Sequence, residues 1–111
     1  MELAVRTYRV TAAFPSGQRF GLTAQMQRAA VSVGSNIVEG CGRPSNAALL
    51  SFLHIALGSA TELEFQIGLA TRLEFGNPAD LAALRAQSDR VKGMLVRLIV
   101  ALRPRPPKPA G

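Results

Sequence analysis

Two long apolar heptads, parted by a single turn, constrain this chain more than any other feature. Over roughly residues 46–75, Leu49, Leu53, Ala56, Ala60, Leu63, Ile67 and Ala70 recur with the period of one helical face, and Leu50, Phe52 and Leu57 widen the stripe. Gly76 ends that pattern, and Asn77 with Pro78 supplies the cap and first-turn proline of a further helix over 78–103. There Leu81, Leu84, Ser88, Val91, Leu95, Leu98 and Leu102 form the cleanest heptad in the chain. Stripes of this kind are buried only against other helices.

The N-terminal third supplies two more. Leu22, Met26, Ala29, Val33 and Ile37 mark one face of a helix over 23–41, with Thr23 as its cap and Ser45 or Asn46 capping the next. Residues 2–13 form a short first helix with Met1, Val5, Tyr8 and Ala12 on one face, and FPSGQRFG breaks it. The expected fold is all-α: an antiparallel up-and-down four-helix bundle over 1–103, followed by a mobile, polyproline-like basic tail over 104–111. At about 1.5 Å per residue the third helix is roughly 45 Å long and the first roughly 18 Å. One end of the bundle therefore lacks a fourth wall, and its apolar surface calls for another chain, unless the true first helix starts upstream of Met1.

At 111 residues, 48% of them hydrophobic, the chain holds one core. A single cysteine, Cys41, and a single histidine, His54, allow neither an internal disulfide nor a zinc site. MELAVRTYRVTAAFP has arginines where a signal peptide needs an unbroken apolar run, and MLVRLIVAL at 94–102 is short of a membrane span and interrupted by Arg97. A soluble cytoplasmic protein with no membrane partner is expected. His54 has no nucleophile or acid at helical spacing, Cys41 has no resolving partner and reads as a small buried residue, and GCGR lacks the strand and the GK[ST] ending of a phosphate loop. No catalytic residue, cofactor, metal or small-molecule substrate is expected.

The polar, glycine-rich run SVGSNIVEGCGR at 32–43 is better read as a packing seam than as a ligand site. An antiparallel turn centred near residue 44 puts residues whose numbers sum to about 88 at one level. Ala30 then faces Gly58, Ser32 faces Ala56, and Arg28 lies near Ala60, within one turn of Glu62. Small residues would let the backbones close in, and Arg28 with Glu62 would form an ion pair that fixes register. Asn36 and Glu39, one turn apart, satisfy each other or nearby backbone. Gly40 and Gly42 help to end the helix.

The formal charge is +6, and from Arg85 onward seven bases stand against one acid, Asp89. Such polarity favours a polyanion partner. Arg85 and Lys92 form one stripe of the last helix and Arg90 and Arg97 another, about 140° away. With Arg43 they are the candidate nucleic-acid contacts. Only Tyr8 and five phenylalanines are aromatic, and with most on core faces there is no stacking platform.

RFGLTAQMQRAAVSVGSNIVEGCGR after FP, and then FLHIALGSATELEFQIGLA, resemble the bacterial family encoded in intervening sequences of large-subunit ribosomal RNA genes. Its superfamily includes the accessory variability proteins of diversity-generating retroelements. The resemblance spans about residues 3–103 and rests on FGLT, QRAAVSV, SNIVEG, GR and GSATELE in that order. It implies a four-helix bundle assembled as a homopentameric barrel, a basic surface that engages nucleic acid, and no catalysis. The retroelement branch implies RNA and a reverse transcriptase as partners, and thus the alternative of a protein-interaction scaffold or accessory subunit. The family's longer first helix implies that this chain starts late.

Overall fold

The structure, a computed structural model, describes residues 1–104, which contain helices and no strand. Helix α1 (Glu2–Thr11) leads through a 3-10 turn (Ser16–Gln18) into α2 (Leu22–Cys41), α3 (Asn46–Arg72) and α4 (Pro78–Leu102). The tail expected over 104–111 lies, past Pro104, outside the described residues.

Local chemistry sets most of these ends. Ser45 Oγ accepts the Ala48 N–H at 3.2 Å, and Asn77 Oδ1 accepts those of Ala79 and Asp80 at 2.8 and 3.3 Å ahead of Pro78. Thr23 does not cap α2, which begins one residue earlier. The Leu22 N–H instead reaches Gln18 Oε1 at 3.4 Å, a side chain positioned by the 3-10 turn. The third helix stops at Arg72 because Glu74 adopts a left-handed φ of 58°. The Glu74 and Phe75 N–H groups then donate to Thr71 O at 3.1 Å and Ala70 O at 3.0 Å, a Schellman closure. Gly76, also left-handed at φ 67°, lies beyond the helix end, where a Cβ would come within 3.0 Å of the Phe14 ring.

The helices form a closed four-membered ring: α1 packs on α2 and α4, and α3 packs on α2 and α4, while the backbones of the two diagonal pairs stay further apart. The α3 stripe is buried from Leu53 to Ala70. In α4, Leu81, Leu84, Ser88 and Leu95 are buried, but Ile99 replaces Leu98 as the inward residue. A straight helix drifts about 20° per heptad against a strict seven-residue repeat, enough over this length to move the stripe by one position.

The inward face of α1 differs from the expected one. Leu3, Thr7, Val10 and Thr11 are buried, whereas Met1 and Tyr8 are exposed. The two threonines can be buried because their hydroxyls donate to carbonyls one turn back, Thr7 to Leu3 O at 2.7 Å and Thr11 to Thr7 O at 2.8 Å. Phe14 and Phe75, with ring centroids 5.7 Å apart, close the bundle where α1 ends.

The N-terminal amine of Met1 lies near Gly34, so α1 covers only about the first two thirds of α2. Past that level no described residue walls the space between α2 and α4. Ile37, Leu49, Leu50, Val91 and Leu102 are only half-buried there, and Val38, Leu98 and Val100 are exposed.

Candidate functional site

The α2/α3 seam is polar but not ionic. Ser32 Oγ and Ser59 Oγ share a hydrogen bond at 2.8 Å, so Ser32 meets Ser59 and not Ala56, and the two helices align about three residues further along than the turn-centred register. Asn36 Nδ2 donates to Ser32 O at 2.8 Å and to Ser32 Oγ at 3.1 Å, while Glu39 accepts from Arg43 at 3.0 Å, so Asn36 and Glu39 do not serve each other. Arg28 and Glu62 line one recess of about 240 Å³ together with Gln25, Ala29, Ser32 and Ser59. Their charged groups nevertheless stay more than 4.0 Å apart, and the expected ion pair is absent. Glu62 Oε1 instead takes the Gln66 Nε2–H at 3.1 Å, one turn along its own helix.

Gly58 is not the close-approach residue. It is exposed, and a Cβ there would meet nothing within 4 Å. That role belongs to Gly40, buried inside α2, where a Cβ would lie 2.9 Å from Phe52 Cβ and 3.0 Å from Leu49 Cδ1. Gly40 is thus needed for packing and not for helix termination.

The candidate cations divide into two groups. Arg85 and Lys92 face α3, where Glu64 receives Lys92 Nζ at 3.0 Å and Arg85 Nη2 at 3.6 Å, and Arg85 also reaches Asp89 at 3.3 Å. The Lys92 hydrogen bond, reinforced by the charges of Lys92 and Arg85, holds the Glu64 carboxyl below its ordinary value despite partial desolvation. Arg43 pairs with Glu39 and lies over the Phe52 ring at 4.9 Å. Arg90 and Arg97 are exposed and make no ion pair among the described residues, with the Arg97 guanidinium lying over Gly93. Arg6 and Arg9 line an α1/α4 recess of about 250 Å³ with Glu2 and Asp80, again without an ion pair.

Three of the six aromatic rings are exposed, contrary to the expectation that most are in the core: Tyr8 at 51%, Phe20 at 88% and Phe65 at 71%. Tyr8 lines a recess of about 410 Å³ between α1 and α2, together with Gln27, Arg28, Val31, Ser32 and Ser35. The signal that would have placed Tyr8 outside is Thr7 and Thr11, once they are recognised as the inward residues. Cys41 and His54 are both exposed, on different helices, and Cys41 is thus not the buried residue expected. α3 is long and apolar enough, by length and composition, to cross a bilayer, and only a minority of that stretch is buried in the chain.

Among curated proteins no match is found. A solved structure, described as a protein of unknown function from the S23 ribosomal protein family of Bacteroides thetaiotaomicron, superposes with a TM-score of 0.79 at 28% identity. The alignment covers 88% of this chain and 92% of that one. The model of the 23S rRNA-intervening sequence protein family matches residues 1–97. With the four-helix ring and the polar α2/α3 seam, that match over most of its length makes the chain a member of the 23S rRNA-intervening sequence protein family.

Proposed function

We propose that this protein is a non-enzymatic, oligomeric helical bundle that binds nucleic acid through phosphate contacts. The observation that carries the reading is the division of the cations. Arg43, Arg85 and Lys92 are neutralised within the chain, whereas Arg90 and Arg97 offer guanidinium groups with no acid partner among the described residues. They stand two helical turns apart on α4, and a ring of copies would repeat the pair into a basic belt. Homopentamer formation is part of this proposal, supported by the open end of the bundle and by Ile55, Phe65 and Leu73, which leave α3 apolar toward solvent.

A titration of labelled RNA and DNA across a salt series tests the reading. Affinity should fall steeply with salt, and the double variant Arg90→Ala/Arg97→Ala should flatten the log–log slope by about two. No measurable binding at low salt would sink it. A second reading, a protein-interaction scaffold serving for example a reverse transcriptase, is favoured by the exposed apolar residues of α3. It predicts binding to a protein partner that survives high salt. Light scattering addresses the assembly, and a monodisperse monomer contradicts it.

A further inference from the structure

Building on the nucleic-acid reading above, we infer that the α1/α2 recess holds one unpaired nucleotide, with its base against the Tyr8 ring and its phosphate on Arg28. The protein accordingly prefers single strands to duplexes.

Four observations converge on this recess. Tyr8 is half exposed on its wall, and its hydroxyl makes no hydrogen bond with another described residue, so neither the ring nor the O–H is consumed by the fold. Arg28 is exposed and free of ion pairs among the described residues, and no carboxylate lines this recess. Glu62, the acid near Arg28, lies in the separate recess toward α3, where it is bonded to Gln66. The remaining polar hydrogens are largely committed, with Gln27 Nε2 donating to Thr11 Oγ1 at 3.1 Å and Ser35 Oγ to Val31 O at 2.9 Å.

What the recess still offers is a guanidinium, a phenol and the exposed apolar side chain of Val31. A guanidinium suits a phosphate, and an aromatic face beside an aliphatic floor suits a base. Its volume of about 410 Å³ falls in the range of small-ligand sites, roughly 300–1,000 Å³. A base within a duplex has both faces covered by its neighbours, so only an unstacked one can enter. Arg90 and Arg97 are on α4 and do not line this recess, so the two contributions are separable by mutation.

Tyr8 is the only tyrosine and the chain has no tryptophan, so intrinsic emission reports on this ring alone. Titration with oligothymidylate should quench that emission, and a blunt-ended, fully paired duplex with the same number of phosphates should not. Tyr8→Ala should weaken oligothymidylate binding about tenfold while leaving the salt slope unchanged, and Tyr8→Phe should restore the affinity. Arg28→Ala should instead lower the slope by about one. Oligothymidylate that binds with Tyr8 emission unchanged, and equally well to Tyr8→Ala, overturns this inference and leaves the broader nucleic-acid reading standing. Failure of both oligonucleotides to bind overturns the two together.

Discussion

The two ends of the bundle are built from the same long helices yet differ in how well they are buried. Where α1 is present, Met26, Leu63, Ile67, Leu81 and Leu84 are almost fully enclosed, and Phe14 with Phe75 caps the core. Past Met1, Leu53 and Ile99 are still buried, but Ile37, Leu50, Val91 and Leu102, with the same apolar character, keep part of their surface in water. The residue types do not account for the contrast; the length of α1 does. In the proposed assembly this half-buried heptad is one side of a contact whose other side would lie on a second copy of the chain.

The largest test of this contrast compares a truncation at each end. Ile67→Ala should cost about 2–5 kcal/mol in urea unfolding, as for a fully enclosed aliphatic. Leu98→Ala in an isolated chain should cost well under about 1 kcal/mol, since the side chain is already exposed. An equal loss at Leu98 would break the contrast, because the open end would then be covered in solution. Next in size are the two glycines. Gly40→Ala should cost about 1–3 kcal/mol because Phe52 Cβ would be only 2.9 Å away. Gly58→Ala should gain roughly 0.5–1 kcal/mol, a mid-helix glycine with open space at its Cβ. A loss at Gly58 would mean that another copy packs there.

The smallest effect is a pH dependence centred on Glu64. Its carboxyl lies below the ordinary 4.5 in the folded chain, so its stabilising contribution is complete above that value and is lost as pH falls through the lower folded pKa. Unfolding curves of Glu64→Gln should lack this acid component, a few tenths of a kcal/mol for so exposed a network. A wild-type curve that matches the variant down through that range would show that the α3/α4 pairs contribute nothing to stability.

The helix pattern was legible to different degrees for physical reasons. α3 and α4 could be read closely because Ser45, Asn77 and Pro78 act locally and the heptads between them are long. The face of α1 was misread because threonine looks polar in a sequence but can be buried once its hydroxyl returns to its own helix. The polar run of α2 meets α3 through Ser32 and Ser59, but which residues meet across the two helices depends on a register that the turn alone does not set. On α4 the arginines were visible, whereas their neutralisation was not. Glu64 lies 21 residues before Arg85 and 28 before Lys92, so the pairing is not a spacing within one helix and needs the α3/α4 register.

α1 itself is held lightly. It is 10 residues long, begins without a side-chain cap and, among the described residues, has one side-chain hydrogen bond to another element, donated by Gln27 Nε2 to Thr11 Oγ1. A helix this short is marginal by itself, and its buried threonine hydroxyls donate only to α1 carbonyls and so stay satisfied as donors when it leaves. Its amide hydrogens should exchange with solvent water ahead of those in α2, α3 and α4, through an opening that leaves the three long helices intact. During each such opening the well-enclosed end takes on the geometry of the other, and the single face left between α2 and α4 runs the full length of the molecule.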